Sequence, residues 1–306
     1  MPEKSPSWFE QVGSAWNQFW FTSADERPLA AVRILTACGL LVYLLTWGDL
    51  SQWLGPDGYL PGPSIAAITQ ENDGKTLIFR GAFLPGVHSA TMLQIYRGLM
   101  FVGATCLALG VATRIAAVVT WVLVLLFIHR FSVVIGPCEQ LLATLLFYVA
   151  LHPGSAYWSV DSRRTNAVAE PTQVANIVLR LLQIHVALLV FSMAESKLAG
   201  PAWWDGDAVW YLTARTVSRP LNLTYLRPHE YFLNAWTHFI VVAELAFPLL
   251  VWNRLCRPVV MTAVALAWLS LVLLTGEWLL PVFLAAGIAA FIPADWWQRR
   301  NVGGGS

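Results

Sequence analysis

Lys197, Glu244 and His238 are the residues of this chain whose types and positions could move a proton. Lys197 closes an apolar run long enough to cross a bilayer, and Gly200-Pro201 and a Trp203-Trp204-Asp205-Gly206 turn follow it. The cations are otherwise almost all arginine. Lys4, Lys75 and Lys197 are the lysines among 19 Lys and Arg residues, and of these Lys197 alone ends a membrane-length apolar run. An amine is costly at bilayer depth, so it is a functional candidate there by default. Desolvation favours the neutral amine, which can take a proton. The bland alternative is a lysine that snorkels to the interface and orients its helix.

His238 and Glu244 lie inside a later apolar run, too deep for easy snorkelling. Their spacing points them to different sides of a helix. Pairing of Glu244 with an arginine of another span is the structural alternative to a catalytic role. Arg33, Arg97, His129, Glu139, His185, Glu195 and Glu277 also fall in or at the edges of apolar runs. In lipid such groups turn inward, pair, or line a wet cavity. A passive scaffold has little reason to accept so many desolvation costs.

The elements that must position these groups are helices in a membrane. Of the 306 residues, 57% are hydrophobic and 12% charged, about half the charge of a soluble domain, roughly 25%. Repeated apolar runs of about 18 residues or more make an all-α membrane protein, a bundle of about eight transmembrane helices. The expected spans are 28–48, 91–110, 114–133, 138–152, one opening at 175 and ending at Lys197, 234–252, 258–275 and 278–292. Residues 1–27 place Trp8, Phe9, Trp16, Phe19, Trp20 and Phe21 among polar residues, the pattern of an interfacial helix lying on the bilayer. A single transmembrane domain then covers 28–297, and 298–306 is a tail whose Gly-Gly-Gly-Ser end reads as an appended remnant.

Long loops are expected at 49–90, with short helices around 64–70 and 75–80, and at 200–233. Arg114, Arg163, Arg164, Arg254, Arg257, Arg299 and Arg300 fall on one side of the eight-span arrangement. The positive-inside rule therefore predicts both termini in the cytoplasm and Lys197 at the outer end of its span.

Several chemistries find no support. Net charge is +1, which gives no electrostatic case for nucleic acid. There is no HExxH, Walker loop, GxGxxG after a strand or GxSxG elbow, and no histidines at ligand spacing for a metal. Cys38, Cys106, Cys138 and Cys256 lie in or beside apolar runs without CxxC spacing and read as buried structural thiols.

The run 178–212, with Lys197-Leu198 followed by Trp204-Asp205-Gly206, resembles the membrane domain of the vitamin K-dependent gamma-carboxylase. That domain is shared with many microbial proteins as the horizontally transferred transmembrane (HTTM) domain family. Three further stretches are similar and in family order: Pro28-Leu29-Ala30-Ala31-Val32-Arg33, GVATRI at 110–115, and Tyr157-Trp158-Ser159-Val160-Asp161. The resemblance implies a prokaryotic multi-pass protein of a bacterial or archaeal cytoplasmic membrane. It implies a lyase-like chemistry in which Lys197 deprotonates a quinol, reduced vitamin K or menaquinol. Oxygen then drives epoxidation, and carbon dioxide adds to a glutamate of a peptide or protein substrate. His238, or its neighbour Thr237, falls near a functional histidine of the family, and Glu244 on the acidic position after it. Trp203, Trp204, Gln183 and Glu139 are the candidates for binding the quinol.

The pattern departs from the family at Pro137-Cys138-Glu139-Gln140, where the carboxylase has a histidine, and at 265–271, where it has another. The sequence carries no counterpart of the large lumenal domain that grips the substrate, so the expectation rests on the quinol-binding core. The rival reading is non-catalytic: a quinone- or lipid-binding membrane module, or an assembly partner. A transporter ranks last.

Overall fold

Prolines stand in the first turn of several apolar helices of this chain, and left-handed glycines end others. The computed structural model describes residues 7–48, 52, 53, 55, 57–59, 89–130, 136–165, 170–215 and 220–298. The short helices expected around 64–70 and 75–80, and the Gly-Gly-Gly-Ser end, lie outside the described residues. Pro28, Pro137 and Pro258 each sit in a first helical turn, where a missing N–H leaves no bond unmade. Ser89 caps another helix start by accepting from the Met92 amide at 3.2 Å.

The helices are α1 (Trp8–Phe21), α2 (Arg27–Thr46), α3 (Ala90–Leu109), α4 (Thr113–Arg130), α5 (Pro137–Leu151), α6 (Val160–Thr165) and α7 (Gln173–Leu198). After them come α8 (Pro201–Trp204), α9 (Ala208–Ala214), a 3-10 turn at Thr224–Leu226, α10 (Glu230–Leu250), α11 (Arg257–Thr275), α12 (Leu279–Ile288), a second 3-10 turn at Ala289–Phe291, and α13 (Ala294–Gln298). Every expected span coincides with a helix to within a few residues. Among the described residues five helices are long and apolar enough to cross a membrane: α2, α3, α7, α10 and α11. The protein is a multi-pass integral membrane protein with an all-helical fold. The helices at the other three expected spans, α4, α5 and α12, are shorter in their apolar part. The 15 residues of α5 reach about 22 Å, short of a hydrocarbon core of roughly 30 Å. Large apolar side chains such as Leu99, Val102, Val119, Leu188, Val242 and Leu269 stand exposed on these helices, as lipid-facing positions require. Cys38 is exposed as well, and Cys106, Cys138 and Cys256 are half-buried, less enclosed than the sequence reading expected.

The chain forms two compact units, one of Met1–Arg180 with Ile292–Ser306, the other of Leu181–Phe291. In the first, α2, α3, α4 and α5 pack in a closed cycle of neighbours, α2 on α3, α3 on α4, α4 on α5 and α5 on α2. Arg33 of α2 is fully buried. Its guanidinium donates to the carbonyls of Pro153, Gly154, Tyr157 and Trp158 at 2.8–3.3 Å. Those carbonyls belong to the turns that follow α5, so one side chain gathers backbone acceptors that no helix serves. The same segment then reaches the α3–α4 turn. The Asp161 carboxylate accepts from the Thr113 hydroxyl at 2.6 Å and from the amides of Thr113 and Ala112 at 2.9 and 3.0 Å. The Asp161 amide donates to the Gly110 carbonyl at 3.0 Å. Gly110 ends α3 in the left-handed region, and a Cβ there would strike Ser159. Three separate sequence stretches, 28–33, 110–115 and 157–161, thus meet in one polar knot.

In the second unit α10 packs on α8, α9 and α11, and α11 on α9 and α12. Phe291 closes this unit against Phe247 and Trp252.

Two outcomes test the knot. Arg33→Met removes the guanidinium from four carbonyls, of which Gly154 keeps a backbone donor, the Tyr157 amide, and is expected to remove at least about 2 kcal/mol from thermal stability in detergent. The Thr113 hydroxyl, and then the Thr113 and Ala112 amides, hold the Asp161 carboxyl below the usual carboxylate range. Its contribution is therefore complete above about pH 4, the ordinary aspartate value, and is lost as pH falls through the lower folded value. Asp161→Asn should flatten that acid limb of a stability-versus-pH curve.

Candidate functional site

The last turn of α7 carries Lys197 inward. Its amine lies 2.9 and 2.8 Å from the two carboxylate oxygens of Glu244 on α10. The Lys197 side chain is 14% exposed and that of Glu244 not at all. A third, longer contact of 3.4 Å joins the amine to the Met193 carbonyl one turn back. Trp268 of α11, itself buried, donates its indole N–H to Glu244 Oε1 at 3.2 Å. Three helices of the second unit therefore converge on one carboxylate. Oε1 receives two donors, whereas the lysine is the donor to Oε2.

The turn after α7 covers the amine. Gly200-Pro201 stops the helix and starts the four-residue α8, which brings the Trp203 ring to 5.6 Å from the Lys197 nitrogen, within cation–π range. One stretch of α10 fastens this turn. His238 sets its two ring nitrogens against the Trp204 carbonyl at 3.2 Å and the Asn234 carbonyl at 2.8 Å. Thr237, fully buried, accepts from the Val209 amide at 3.1 Å and donates to the Leu233 carbonyl. Gly206 takes φ +84, and a Cβ there would lie 2.9 Å from Asn234 and from His238. Only glycine fits that close approach with a positive φ.

The structure thus brings Lys197, Glu244 and Trp203 together, with Trp204 and His238 joined to them through the α8 turn. Glu244 and Thr237 are two turns apart on one face of α10, whereas His238 points to the turn backbone, as the spacing of His238 and Glu244 required. The partner of Glu244 is the lysine and not an arginine of another span. Gln183 lies on the same helix as Lys197 but 14 residues earlier, about 21 Å along its axis, and donates to the Ala290 carbonyl at 2.7 Å. Glu139 belongs to the first unit. It accepts from the Tyr43 hydroxyl at 2.6 Å and from the Gly136 amide at 2.9 Å, capping α5. Glu195 is exposed.

Trp268 and Asn234 escaped the sequence reading. For Trp268 a signal existed: an indole in the middle of an apolar span, away from the interface, needs an acceptor for its N–H. Asn234 gave none, because its use is through its backbone carbonyl and its bulk against Gly206.

The chain matches no family model, no curated protein and no solved structure.

An ammonium and a carboxylate in contact carry no net charge together, and such a pair can take one proton on the carboxylate or give one from the amine. Taken singly each would be a buried charge without a counter-ion, a state costing about 3–5 kcal/mol. Lys197→Met alone should lower stability by about that amount, and Lys197→Met with Glu244→Met should recover most of it, read as thermal midpoints in detergent. Gly206→Ala should release the turn and expose Trp203 to aqueous quenchers without moving the α7–α10 pair.

Proposed function

We propose that the second unit holds the proton-transfer centre of a membrane enzyme of the vitamin K-dependent gamma-carboxylase type. The observation that carries this reading is the Lys197–Glu244 ion pair, enclosed among apolar helices and roofed by Trp203. A quinol hydroxyl is a weak acid, and a proton acceptor shielded from water suits it. The donor set fits such a group. Lys197 has three N–H bonds, and the one toward Met193 is long enough at 3.4 Å to be redirected to a ring oxygen. Trp203 offers an aromatic face to a planar ring. Glu244 Oε2 is the oxygen to accept the proton, since Oε1 already serves Trp268 as well. His238, Thr237 and Trp204 hold the roof in place. When bound, reduced vitamin K or menaquinol would supply the reaction with oxygen that leads to epoxide, and carbon dioxide would be the second cosubstrate. Gln183, farther along α7, is the remaining quinol-binding candidate of this unit, and a peptide or protein substrate is the further partner.

The reading carries its architecture with it: an HTTM-like domain over 28–297 with eight spans, both termini cytoplasmic, in a bacterial or archaeal membrane. Five helices long and apolar enough to cross a membrane, with three shorter apolar ones, are compatible with that proposed count. The stretches 28–33, 110–115 and 157–161, alike to the family in sequence, support it by meeting in one knot.

A second reading keeps the fold without the chemistry. Because each charge already satisfies the other, the pair could serve as a clamp in a quinone- or lipid-binding or assembly protein.

Quinol turnover to epoxide under oxygen separates the two. The wild type should turn over, and Glu244→Gln should lose about 10²–10⁴-fold. The Lys197→Met, Glu244→Met double variant, which keeps the packing, should be inactive. Turnover by that double variant at the wild-type rate would reject the pair as the base. Menaquinone that co-purifies with the wild type while no epoxide forms would favour the clamp.

A further inference from the structure

Helix α1 has no buried residue, although it carries six of the chain's aromatic residues, and five residues separate it from α2. Trp8, Phe9, Val12, Trp16 and Phe21 are between 46% and 80% exposed. At about 100° per residue, Trp8, Phe9, Val12, Trp16, Phe19 and Trp20 fall within an arc of roughly 120°. Glu10, Gln11, Ser14, Asn17 and Gln18 occupy the opposite side. The helix is well defined at its start by a reciprocal cap. Ser7 Oγ accepts from the Glu10 amide at 3.3 Å, and the Glu10 carboxylate accepts from the Ser7 amide at 2.7 Å.

Its end is fixed within the first unit. The Asn176 amide group donates to the Phe19 and Trp20 carbonyls at 2.8 and 2.9 Å. Ala24 and Thr172 exchange backbone hydrogen bonds at 3.1 and 3.2 Å. The Arg180 guanidinium lies 4.7 Å over the Phe19 ring. The last turn of α1 is thus seated on the opening of α7, and the first three turns project an aromatic stripe outward.

We infer that this stripe is seated in the interfacial layer of the same membrane that α2 crosses, as a strap held by neutral aromatic insertion. Three observations select the bilayer over a partner helix. The stripe is rich in tryptophan, the side chain that favours the headgroup level. It is continuous in sequence with a membrane span. Its end is already tied to a second span, α7, so the helix axis has little freedom to leave the surface. The charge content selects the kind of seating. Glu10 is the one charged residue of α1, so attraction to anionic lipid contributes nothing, and attachment should be indifferent to lipid charge and to salt. That distinguishes it from the usual basic amphipathic anchor.

The test uses the full chain in nanodiscs of zwitterionic lipid with bromines placed either near the headgroup end of the acyl chain or near the bilayer centre. Subtracting the emission of a Trp8→Phe, Trp16→Phe variant from that of the wild type isolates the two strap indoles. Their emission should be shifted to short wavelength and quenched more by the shallow bromines than by the deep ones. It should be unchanged in anionic lipid or 1 M salt. Emission at the wavelength of water-exposed indole, with no quenching by either lipid, would overturn the inference, as would quenching that appears only with anionic lipid. Hydrogen exchange of the α1 amides keeps the result independent of the substitutions: protection should be greater in nanodiscs than in short-chain detergent, and equal protection would also count against the strap.

Discussion

A carboxylate without solvent contact, set inside an apolar helix, is the constraint on which the second unit depends. Glu244 cannot stay ionised there alone, so α7 must end where its lysine reaches α10 and α11 must present Trp268. The position of the α7 terminus follows from this, and so does the sharp Gly200-Pro201 reversal. A helix continued past Lys197 would carry Trp203 away from the amine. Asn234, Thr237 and His238 then hold the returning turn from the same helix that supplies the carboxylate. One element thereby supplies the carboxylate and fastens the cover over its lysine.

The first unit solves a similar problem with different chemistry. Arg33 is as buried as Glu244, yet its counter-charges are four carbonyl dipoles. An arginine never gives up its proton in a protein, so this cation is a permanent structural pin. Lysine can exchange its proton, and the chain places Lys197 against a carboxylate. The scarcity of lysine, three among 19 cations, fits that division: arginine where charge holds backbone together, lysine where the pair is to change protonation in the proposed reaction.

Much of the helical layout was legible because lipid imposes a coarse rule. Runs of apolar residues bounded by proline, glycine and arginine mark spans within a few residues, and α2, α3, α7, α10 and α11 all obeyed it. What the pattern lacked was contact information. Lys197 and Glu244 stood out separately as ionisable groups in apolar runs, but no periodicity says which buried carboxylate meets which cation across 47 residues of chain. Trp268 read as one more aromatic. The knot around Arg33 illustrates the same gap: arginine in a span invites a carboxylate partner, whereas its acceptors are carbonyls, which every residue possesses and no sequence marks. The sequence marks 200–233 only as one long connection, yet it contains α8, α9 and a 3-10 turn, because helices of four and seven residues have too few positions to show a period.

The pairing also alters what the proposed base must be. A solitary neutral amine needs only burial, and after accepting a proton it would be an uncompensated cation facing a new anion. With Glu244 in place the starting state is already neutral overall. A weak acid that gives its proton to Glu244 Oε2 leaves an ammonium whose partner has just become uncharged. That ammonium is then free to face the negative charge left behind, at the distance it previously held to the carboxylate. Charge is exchanged between neighbours and never created alone in the apolar interior, so the large solvation terms that penalise buried ions nearly cancel along the step. Trp203 over the amine and Trp268 on Oε1 limit where each partner can turn while this happens. A lone lysine at the same depth would lack that compensation, which is why the carboxylate matters to the chemistry as much as to the fold.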